Sequence, residues 1–261
     1  MWIDKTGRFL LVANYVGGNA AVLPIERGGT LGVATDVAQH RGAGVNPERQ
    51  EGPHAHCIVL DRSNRYAFAV DLGIDRIMVY QFDAKKGKLI PAKEPSIALK
   101  PGAGPRHFTF HRNGRYAYVI NELDSTLTVF TYDDARGKLS AIQTIATVPQ
   151  SFSGPNYCAD LHVSPSGKFL YGSNRGHDSI VVFAIDPDTG MLRYVENHPT
   201  AGKFPRNFAI DPTGNYLLVA NQHSDTIVSF RIAPSSGTLT PTGYIAEVPS
   251  PVCLKLIPTF S

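Results

Sequence analysis

The chain has 261 residues, of which 43% are hydrophobic and 18% charged, an ordinary globular composition with enough apolar residues to bury a core. Its 25 basic and 22 acidic residues nearly balance and form no run of like charge, so nothing indicates nucleic-acid or anionic-membrane binding.

Cysteine usage and hydrophobic runs bear on the compartment. No segment looks like a signal peptide or is long enough to span a bilayer, so we expect a cytoplasmic protein without a membrane partner. Cys57, Cys158 and Cys253 each lie in an apolar, strand-like stretch and show no metal-type spacing. We therefore expect three packed thiols.

The distribution of turn-forming residues predicts the fold class. The 24 glycines and 19 prolines are spread along the whole chain, and no long stretch places apolar residues at helical spacing. This pattern favours many short strands joined by turns. We predict an all-β fold in a single domain over residues 1–261.

One pattern of twelve residues occurs five times along the chain. It consists of a polar turn, a basic or polar residue, an apolar run and, near its end, Asn or Asp. The copies are DKTGRFLLVANY (4–15), DRSNRYAFAVDL (61–72), HRNGRYAYVINE (111–122), SPSGKFLYGSNR (164–175) and DPTGNYLLVANQ (211–222). The turn markers of these copies are Gly7, Asn64, Gly114, Gly167 and Gly214. They are 57, 50, 53 and 47 residues apart, so the period is about fifty.

Each repeat continues in the same way. An alternating strand follows (RIMVYQF, TLTVFTY, SIVVFAI, TIVSFRI), then a glycine-containing turn and another extended segment. A short apolar strand (HCIVL, HFTF, ADLHV, NFAI) precedes each of the last four polar turns. Four strands per fifty residues predict one blade of a β-propeller. WD40 and kelch blades have a similar period, but the WD40 signature is absent because the only tryptophan is Trp2.

Two positions of the repeat hold different residues in different copies. Eight residues after the markers stand Tyr15, Leu72, Glu122, Arg175 and Gln222, and eight residues before the last four markers stand His56, Arg106, Ala159 and Arg206. Variable polar residues between similar apolar strands are typical of a site grafted on a scaffold. Asn or Asp always precedes the residues of the first set, and we interpret these five as structural turn residues.

Glu122 ends a strand that we predict to be buried, where an isolated charge is costly. If His56, Arg106, Arg175 and Arg206 converge on the same face, the arginines neutralise this carboxylate. Such a cluster could be a catalytic site, or it could be a structural ring of ion pairs.

At this point the residues show a resemblance to a known family. The stretches are GPHAH (52–56), GPRHFTFH (104–111), VINELDSTLTVF (119–130) and GSNRGHDSIVVF (172–183). Together they resemble the lactonase family of seven-bladed propellers, which includes bacterial 6-phosphogluconolactonases of propeller type and fungal 3-carboxy-cis,cis-muconate lactonizing enzymes. The resemblance covers essentially the whole chain.

This resemblance implies an activity and a set of residues. It implies hydrolysis of a sugar lactone. The implied small-molecule substrate is 6-phosphogluconolactone, which belongs to the pentose phosphate pathway. A muconate-type lactonizing enzyme and a non-catalytic propeller that binds a ligand or protein in its channel are the alternatives. The implied catalytic residues are His54 or His56, Arg106, Glu122 and Arg175.

The choice between the two histidines stays open at this point. The repeat favours His56, whereas period-2 alternation would place His54 on the same face. Tyr15, His107, Arg206 and Gln222 are further candidate substrate contacts. His107 directly follows Arg106 and would point the opposite way in a regular strand, which also fits a packed histidine.

The residue types suit the implied chemistry. Hydrolysis of a cyclic ester needs a base for water, a cation for the oxyanion and an anchor for substrate charge. Histidine suits the first role and arginine the other two, and Glu122 could orient the histidine or act as the base. No G-x-S-x-G elbow is present. His54 and His56 could face one metal ion, but no carboxylate pair completes a site, so we predict neither a metal nor a cofactor.

The number of repeats differs from the number of blades in that family. Seven blades of about fifty residues need roughly 350 residues, whereas five markers are present here. We therefore expect a chain that lacks about two N-terminal blades of a seven-bladed parent, together with any signal peptide, and regard a five-bladed ring as the alternative. We predict that VCLKLIP (252–258) is an inner strand.

Overall fold

The computed structural model describes residues 1–257, and its regular structure consists of β-strands. In chain order these are β1 (Trp2–Ile3), β2 (Phe9–Asn14), β3 (Asn19–Pro24), β4 (Asp36–Gln39), β5 (Ala55–Leu60), β6 (Tyr66–Asp71), β7 (Arg76–Asp83), β8 (Lys88–Ala98), β9 (Pro105–Phe110), β10 (Tyr116–Asn121), β11 (Thr126–Asp133), β12 (Lys138–Ala146), β13 (Tyr157–Val163), β14 (Phe169–Arg175), β15 (Ser179–Ile185), β16 (Leu192–Pro199), β17 (Pro205–Ile210), β18 (Tyr216–Asn221), β19 (Thr226–Ile232) and β20 (Leu239–Glu247).

The strands form five sheets of four, and in each sheet the order in space follows the order along the chain. Strands that are consecutive along the chain pair in antiparallel fashion, as β5 with β6, β6 with β7 and β7 with β8. This is the four-stranded blade that the repeat predicts, so the all-β class and the five blades are confirmed.

The chain divides into two compact units. The first contains Met1–Asp124 and Phe130–Ala141, and the second contains Ser125–Val129 and the described residues from Ile142 onwards. In the first unit the core includes Phe68 of β6, which stacks on Phe108 of β9 with ring centroids 5.5 Å apart. The core of the second unit is built in the same way from β14, β15, β17, β18, β19 and β20. Within residues 1–257 no helix is long and apolar enough to cross a membrane.

The five turn markers share one backbone conformation. Their φ angles lie between 63° and 77°, in the left-handed region that glycine adopts without steric cost. Asn64 is the one marker that is not glycine, and asparagine tolerates this region better than most residues. The local requirement of one turn explains why these positions can be recognised in the sequence.

The first strand of four blades contains a bulge. The pairing shifts between Ala55 and Cys57 in β5, between Pro105 and His107 in β9, and between Pro205 and Asn207 in β17. A longer shift between Cys158 and Leu161 interrupts β13. The residues inside these irregularities are His56, Arg106, Arg206, and the pair Ala159 and Asp160. A bulge re-aims the side chain that it carries and is frequent next to functional sites.

The bulge in β5 bears on the placement of His54 and His56. His54 precedes β5, which begins at Ala55, and the irregular residue of that strand is His56. Period-2 alternation does not extend from His54 to His56, because it requires a regular strand. Alternation therefore cannot be used to place His54, whereas the placement of His56 by repeat position agrees with the bulge.

Two further expectations need correction. Residues 252–257 belong to no strand, because the amide of Leu254 donates to the side-chain Oδ1 of Asn207 at 2.6 Å and takes no strand partner. Pro258, the last residue of that predicted strand, lies outside the described residues. The cysteines are free, but Cys253 is exposed, whereas Cys158 is buried and Cys57 packs against the core.

The polar turns give a prediction about acid stability. Asp211 accepts hydrogen bonds from the hydroxyl of Thr213 and from the backbone N–H groups of Tyr216 and Thr213, the last two at 2.7 and 3.1 Å. Burial raises the pKa of Asp211, but these hydrogen bonds outweigh it and hold the pKa below its ordinary value. The ionised carboxylate therefore stabilises the fold above the unfolded pKa of about 4, and this contribution is lost as the pH falls through the folded value.

We expect Asp211→Asn to lower the free energy of unfolding by about 1–2 kcal/mol at pH 7, because the charge-assisted hydrogen bonds are weakened. The difference should shrink below about pH 4, where the wild-type carboxyl becomes protonated. Urea unfolding between pH 7 and pH 3 measures this, with Glu247→Gln on exposed β20 as the control. A deficit that does not change with pH would contradict the assignment.

Candidate functional site

The carboxylate of Glu122 is buried between two guanidinium groups. Glu122 follows β10 directly, and its side chain is 6% exposed. Arg106 Nε lies 2.8 Å from Oε2, and Arg49 Nη2 lies 2.6 Å from Oε1. The two oxygens thus have different cationic partners, which offsets the cost of burying the charge. We call these three residues the Glu122 bridge.

Local structure fixes the strand that carries Arg106. Asp75 is a buried residue whose two carboxylate oxygens accept the N–H groups of Gly102 and Gly104, each at 2.7 Å. Gly104 has φ 62°, and a Cβ there would lie 2.4 Å from the side chain of Leu123. Glycine at this position therefore allows the chain to approach Glu122, whose N–H donates to the Gly104 carbonyl at 2.7 Å.

Arg49 was not found from the sequence. It lies in the loop between β4 and β5, outside the repeated pattern, and its side chain is 33% exposed. The one signal was the first interval between markers, which at 57 residues is the longest, and part of that extra length is in this loop.

Electrostatics keep Arg49 charged. Burial lowers the pKa of the Arg49 guanidinium, but hydrogen bonds to Tyr15 and Glu122 outweigh it, so the pKa is raised above its ordinary value. Arg49 therefore connects the Glu122 bridge to Tyr15, one of the predicted substrate contacts.

Three histidines lie around Tyr15 and Arg106 in the first unit. The ring of Tyr15 stacks on His54, with centroids 4.5 Å apart, and meets the ring of His56 edge-on at 5.7 Å. His56 in turn contacts His107, whose centroid lies 5.2 Å away. His107 Nε2 is 3.3 Å from Arg106 Nη1. The structure thus brings six of the predicted residues together: Tyr15, His54, His56, Arg106, His107 and Glu122.

Hydrogen bonds restrain the ring of His54. Nδ1 of His54 lies 3.1 Å from the carbonyl oxygen of Tyr15, and Nε2 lies 3.1 Å from the carboxylate of Glu51. Both ring nitrogens of His54 therefore already have polar partners, which leaves the ring poorly placed to take a proton from water. His56 lies in the bulge of β5 between the rings of Tyr15 and His107, which makes it the better candidate base.

A buried pair supports the segment that carries these histidines. Asp71 Oδ1 accepts the N–H of His54 at 2.7 Å, and its Oδ2 contacts Nδ1 of His40. The side chains of His40 and Asp71 are completely buried. Asp71 is one of the five Asn or Asp residues that we interpreted as structural, and its contacts agree with that role.

The second unit contains the remaining predicted residues. Arg175 at the end of β14 is buried, and its Nε and Nη2 each donate to a backbone carbonyl, of Tyr157 and Cys158, at 3.0 Å. Its guanidinium lies 5.0 Å from the ring centroid of Phe204. The N–H of Gln222 donates to the Phe204 carbonyl at 3.1 Å. Arg206 is half-buried in the bulge of β17.

Phe204 is a second residue that the sequence did not indicate. It has φ 60°, a conformation that is unusual for a bulky residue, and its ring stacks on His223 at 4.0 Å. Gly104 occupies the corresponding position in the blade of Arg106, since each precedes a Pro-Arg pair. Within residues 1–257, no group of three or more His, Cys, Asp and Glu side chains is arranged to hold a metal ion.

The chain matches a known protein family. Residues 1–256 match the family described as lactonase, seven-bladed β-propeller. The 6-phosphogluconolactonase of Bacillus subtilis is 38% identical over 255 residues, which are 98% of this chain and 72% of that protein. The 6-phosphogluconolactonase of Formosa agariphila is 40% identical over 213 residues, or 80% of this chain and 59% of that protein.

A solved structure shows the same fold. The periplasmic gluconolactonase of Pseudomonas aeruginosa superposes with a TM-score of 0.92 at 38% identity, over 98% of this chain and 72% of that one. The chain thus spans between 59% and 72% of the length of these three proteins.

The Glu122 bridge gives a prediction about stability. We expect Arg106→Met and Glu122→Gln each to lower the free energy of unfolding by about 3 kcal/mol, because each leaves a buried partner uncompensated. The double variant should lose at least about 1 kcal/mol less than the sum, since neither partner then remains alone. Urea unfolding of the four proteins measures the coupling.

The control is an ion pair of the same unit that lies at the surface, Lys138 with Glu94 at 3.1 Å. We expect Lys138→Met to change stability by about 0.5 kcal/mol or less. A loss in Arg106→Met no larger than in Lys138→Met would show that the bridge contributes no stability.

Proposed function

The chain belongs to the lactonase family of seven-bladed β-propellers, and from this membership we propose that it hydrolyses a sugar lactone, 6-phosphogluconolactone, to 6-phosphogluconate. The observation that carries the proposal is the Glu122 bridge in contact with a cluster of histidines at bulged strands. An imidazole, a buried guanidinium and a buried carboxylate in one cluster can serve ester hydrolysis as base, oxyanion stabiliser and orienting group.

We assign the base to His56. In the proposed reaction a water molecule forms a bond to the lactone carbonyl carbon while His56 takes one of its protons. The bond between that carbon and the ring oxygen then breaks, and the imidazolium returns the proton to the leaving oxygen. Tyr15 and His107 flank His56 and would position it and the sugar ring.

The arginines take the remaining roles. Arg106 is fixed by Glu122 and His107, so its guanidinium can stabilise the negative oxygen of the tetrahedral intermediate without reorganising. Arg175, Arg206 and Gln222 remain proposed site residues. The bonds from Arg175 to two carbonyls support a positioning role for its guanidinium rather than transfer of a proton.

The partner that we propose is a small molecule, not a nucleic acid or a membrane, which the near balance of basic and acidic residues supports. We propose a cytoplasmic location because sugar phosphates are metabolites of the cytoplasm.

The direct test is hydrolysis of 6-phosphogluconolactone at neutral pH, with the enzyme-free rate subtracted. We expect His56→Asn to lower kcat at least about 100-fold through loss of the general base. Glu122→Gln and Arg106→Ala should also lose activity, because the buried bridge that orients the site is broken. His198→Asn, in the fourth strand of its blade, is the control and should keep wild-type activity.

If the wild-type chain is folded by circular dichroism but does not raise the hydrolysis rate of any sugar lactone above the spontaneous rate, the proposal fails. The non-catalytic binding role would then be the better account of the cluster.

A further inference from the structure

The two arginines of the Glu122 bridge differ in how they are held. Arg106 is 3% exposed and sits in the bulge of β9, whereas Arg49 is 33% exposed and comes from the loop between β4 and β5. Both bind the same carboxylate, one on each oxygen. The bridge therefore has one fixed arm and one arm that reaches solvent.

The backbone around Arg49 is anchored independently of its side chain. Asn46 Oδ1 accepts the N–H of Arg49 at 3.1 Å, and the neighbouring Gln50 is completely buried. Gln50 donates its side-chain amide to the carbonyl of Leu72 at 2.8 Å and its N–H to the carbonyl of Asn46 at 2.8 Å. The Arg49 side chain can therefore change partners by rotation about its own bonds while the loop stays in place.

An anionic substrate competes with Glu122 for Arg49. Arg49 is the partly exposed partner of this pair, so it can meet an anion from solvent while Glu122 stays buried and bound to Arg106. A phosphate carries up to two negative charges and can bind a guanidinium through two oxygens. The carboxylate of Glu122 carries one charge and already shares it with Arg106, so it is the weaker partner for Arg49. Burial lowers the pKa of Arg49, but the interactions with Tyr15 and Glu122 outweigh it and hold the pKa above its ordinary value, so the guanidinium is charged before the exchange. The substrate anion then replaces Glu122 as its partner.

The exchange changes what Glu122 can do. Oε2 stays bound to Arg106, while Oε1 loses the guanidinium that covers it. A carboxylate oxygen is an acceptor only, so the uncovered Oε1 can accept one hydrogen of the attacking water. With one cationic neighbour instead of two, Glu122 also becomes a stronger acceptor.

We propose that Arg49 is the receptor for the anionic group of the substrate, and that its transfer from Glu122 to that group uncovers Oε1 to orient the attacking water. The inference rests on the proposed lactonase function and deepens it: the substrates are lactones that carry a phosphate or a carboxylate. The water donates one hydrogen to Glu122 Oε1 and transfers the other to His56. An uncharged lactone leaves the bridge closed and is hydrolysed slowly even when it is bound.

The test compares 6-phosphogluconolactone with uncharged glucono-δ-lactone in the wild type, Arg49→Met and Arg49→Lys. In the wild type we expect kcat to be at least tenfold higher for the phosphorylated lactone. Arg49→Met should raise KM for the phosphorylated lactone at least tenfold and make kcat for the two lactones equal within about threefold, because its bridge is always open. Arg49→Lys should keep part of the preference, as a cation without the planar fork.

A second measurement separates the anion from the sugar. Inorganic phosphate, added to the wild type with glucono-δ-lactone, should increase the enzymatic rate several-fold after subtraction of the enzyme-free rate. The same addition should have no effect on Arg49→Met. Arg27→Met removes a charge from an exposed turn of the same unit and should behave as the wild type in every assay.

The outcomes separate the inference from the function on which it rests. Failure to hydrolyse either lactone defeats the proposed function and the inference with it. Hydrolysis of both, with the same kcat ratio in the wild type and Arg49→Met and no stimulation by phosphate, overturns the inference alone. If Arg49→Met does not fold, Arg49→Lys decides the question. A smaller kcat preference and weaker phosphate stimulation than in the wild type support the inference, whereas an unchanged preference with unchanged stimulation overturns it.

Discussion

A carboxylate buried between two guanidinium groups is the constraint on which the arrangement of the first unit depends. Burial of Glu122 is costly unless its charge is compensated, and the buried guanidinium of Arg106 compensates it from the neighbouring strand. The bulge in β9 gives Arg106 that direction, and Gly104 gives the backbone the close approach. Asp75 then holds the residues before the strand through two backbone N–H groups. The site is thus supported by backbone hydrogen bonds and not by side-chain packing alone.

The blades separate what stabilises the fold from what varies. In every blade the apolar strands and the left-handed turn residue repeat, because each satisfies a local requirement of the chain. The bulged position of the first strand lies outside the regular strand pairing, and it holds His56 in one blade, Arg106 in the next and Ala159 or Arg206 in others. Chemistry can therefore change at this position without a change in the sheet. The same reasoning explains why charged residues are found here at low exposure.

The same separation explains what could be predicted from the sequence. Strands, turns and blade period follow from alternation and from turn residues, which are local signals, and they place Arg106 and Glu122 at the site. The choice between His54 and His56 could not be made from alternation, because a bulge breaks it. Arg49 could not be found by comparing repeats, because its loop has no counterpart in the pattern. Its role is visible only when the loop is placed beside Glu122.

Two corresponding positions show that function can also act against local preference. Gly104 and Phe204 each precede a Pro-Arg pair, and both have φ close to 60°. For glycine this conformation has no steric cost, whereas for a residue with a side chain it costs about 1–2 kcal/mol. The phenylalanine ring is the compensation, since it stacks on His223 and lies under the guanidinium of Arg175. The same turn geometry is thus kept at both positions. Glycine is used where only the backbone matters, and strain is accepted where a ring is needed beside an arginine, so the side chain at this position is selected for the site.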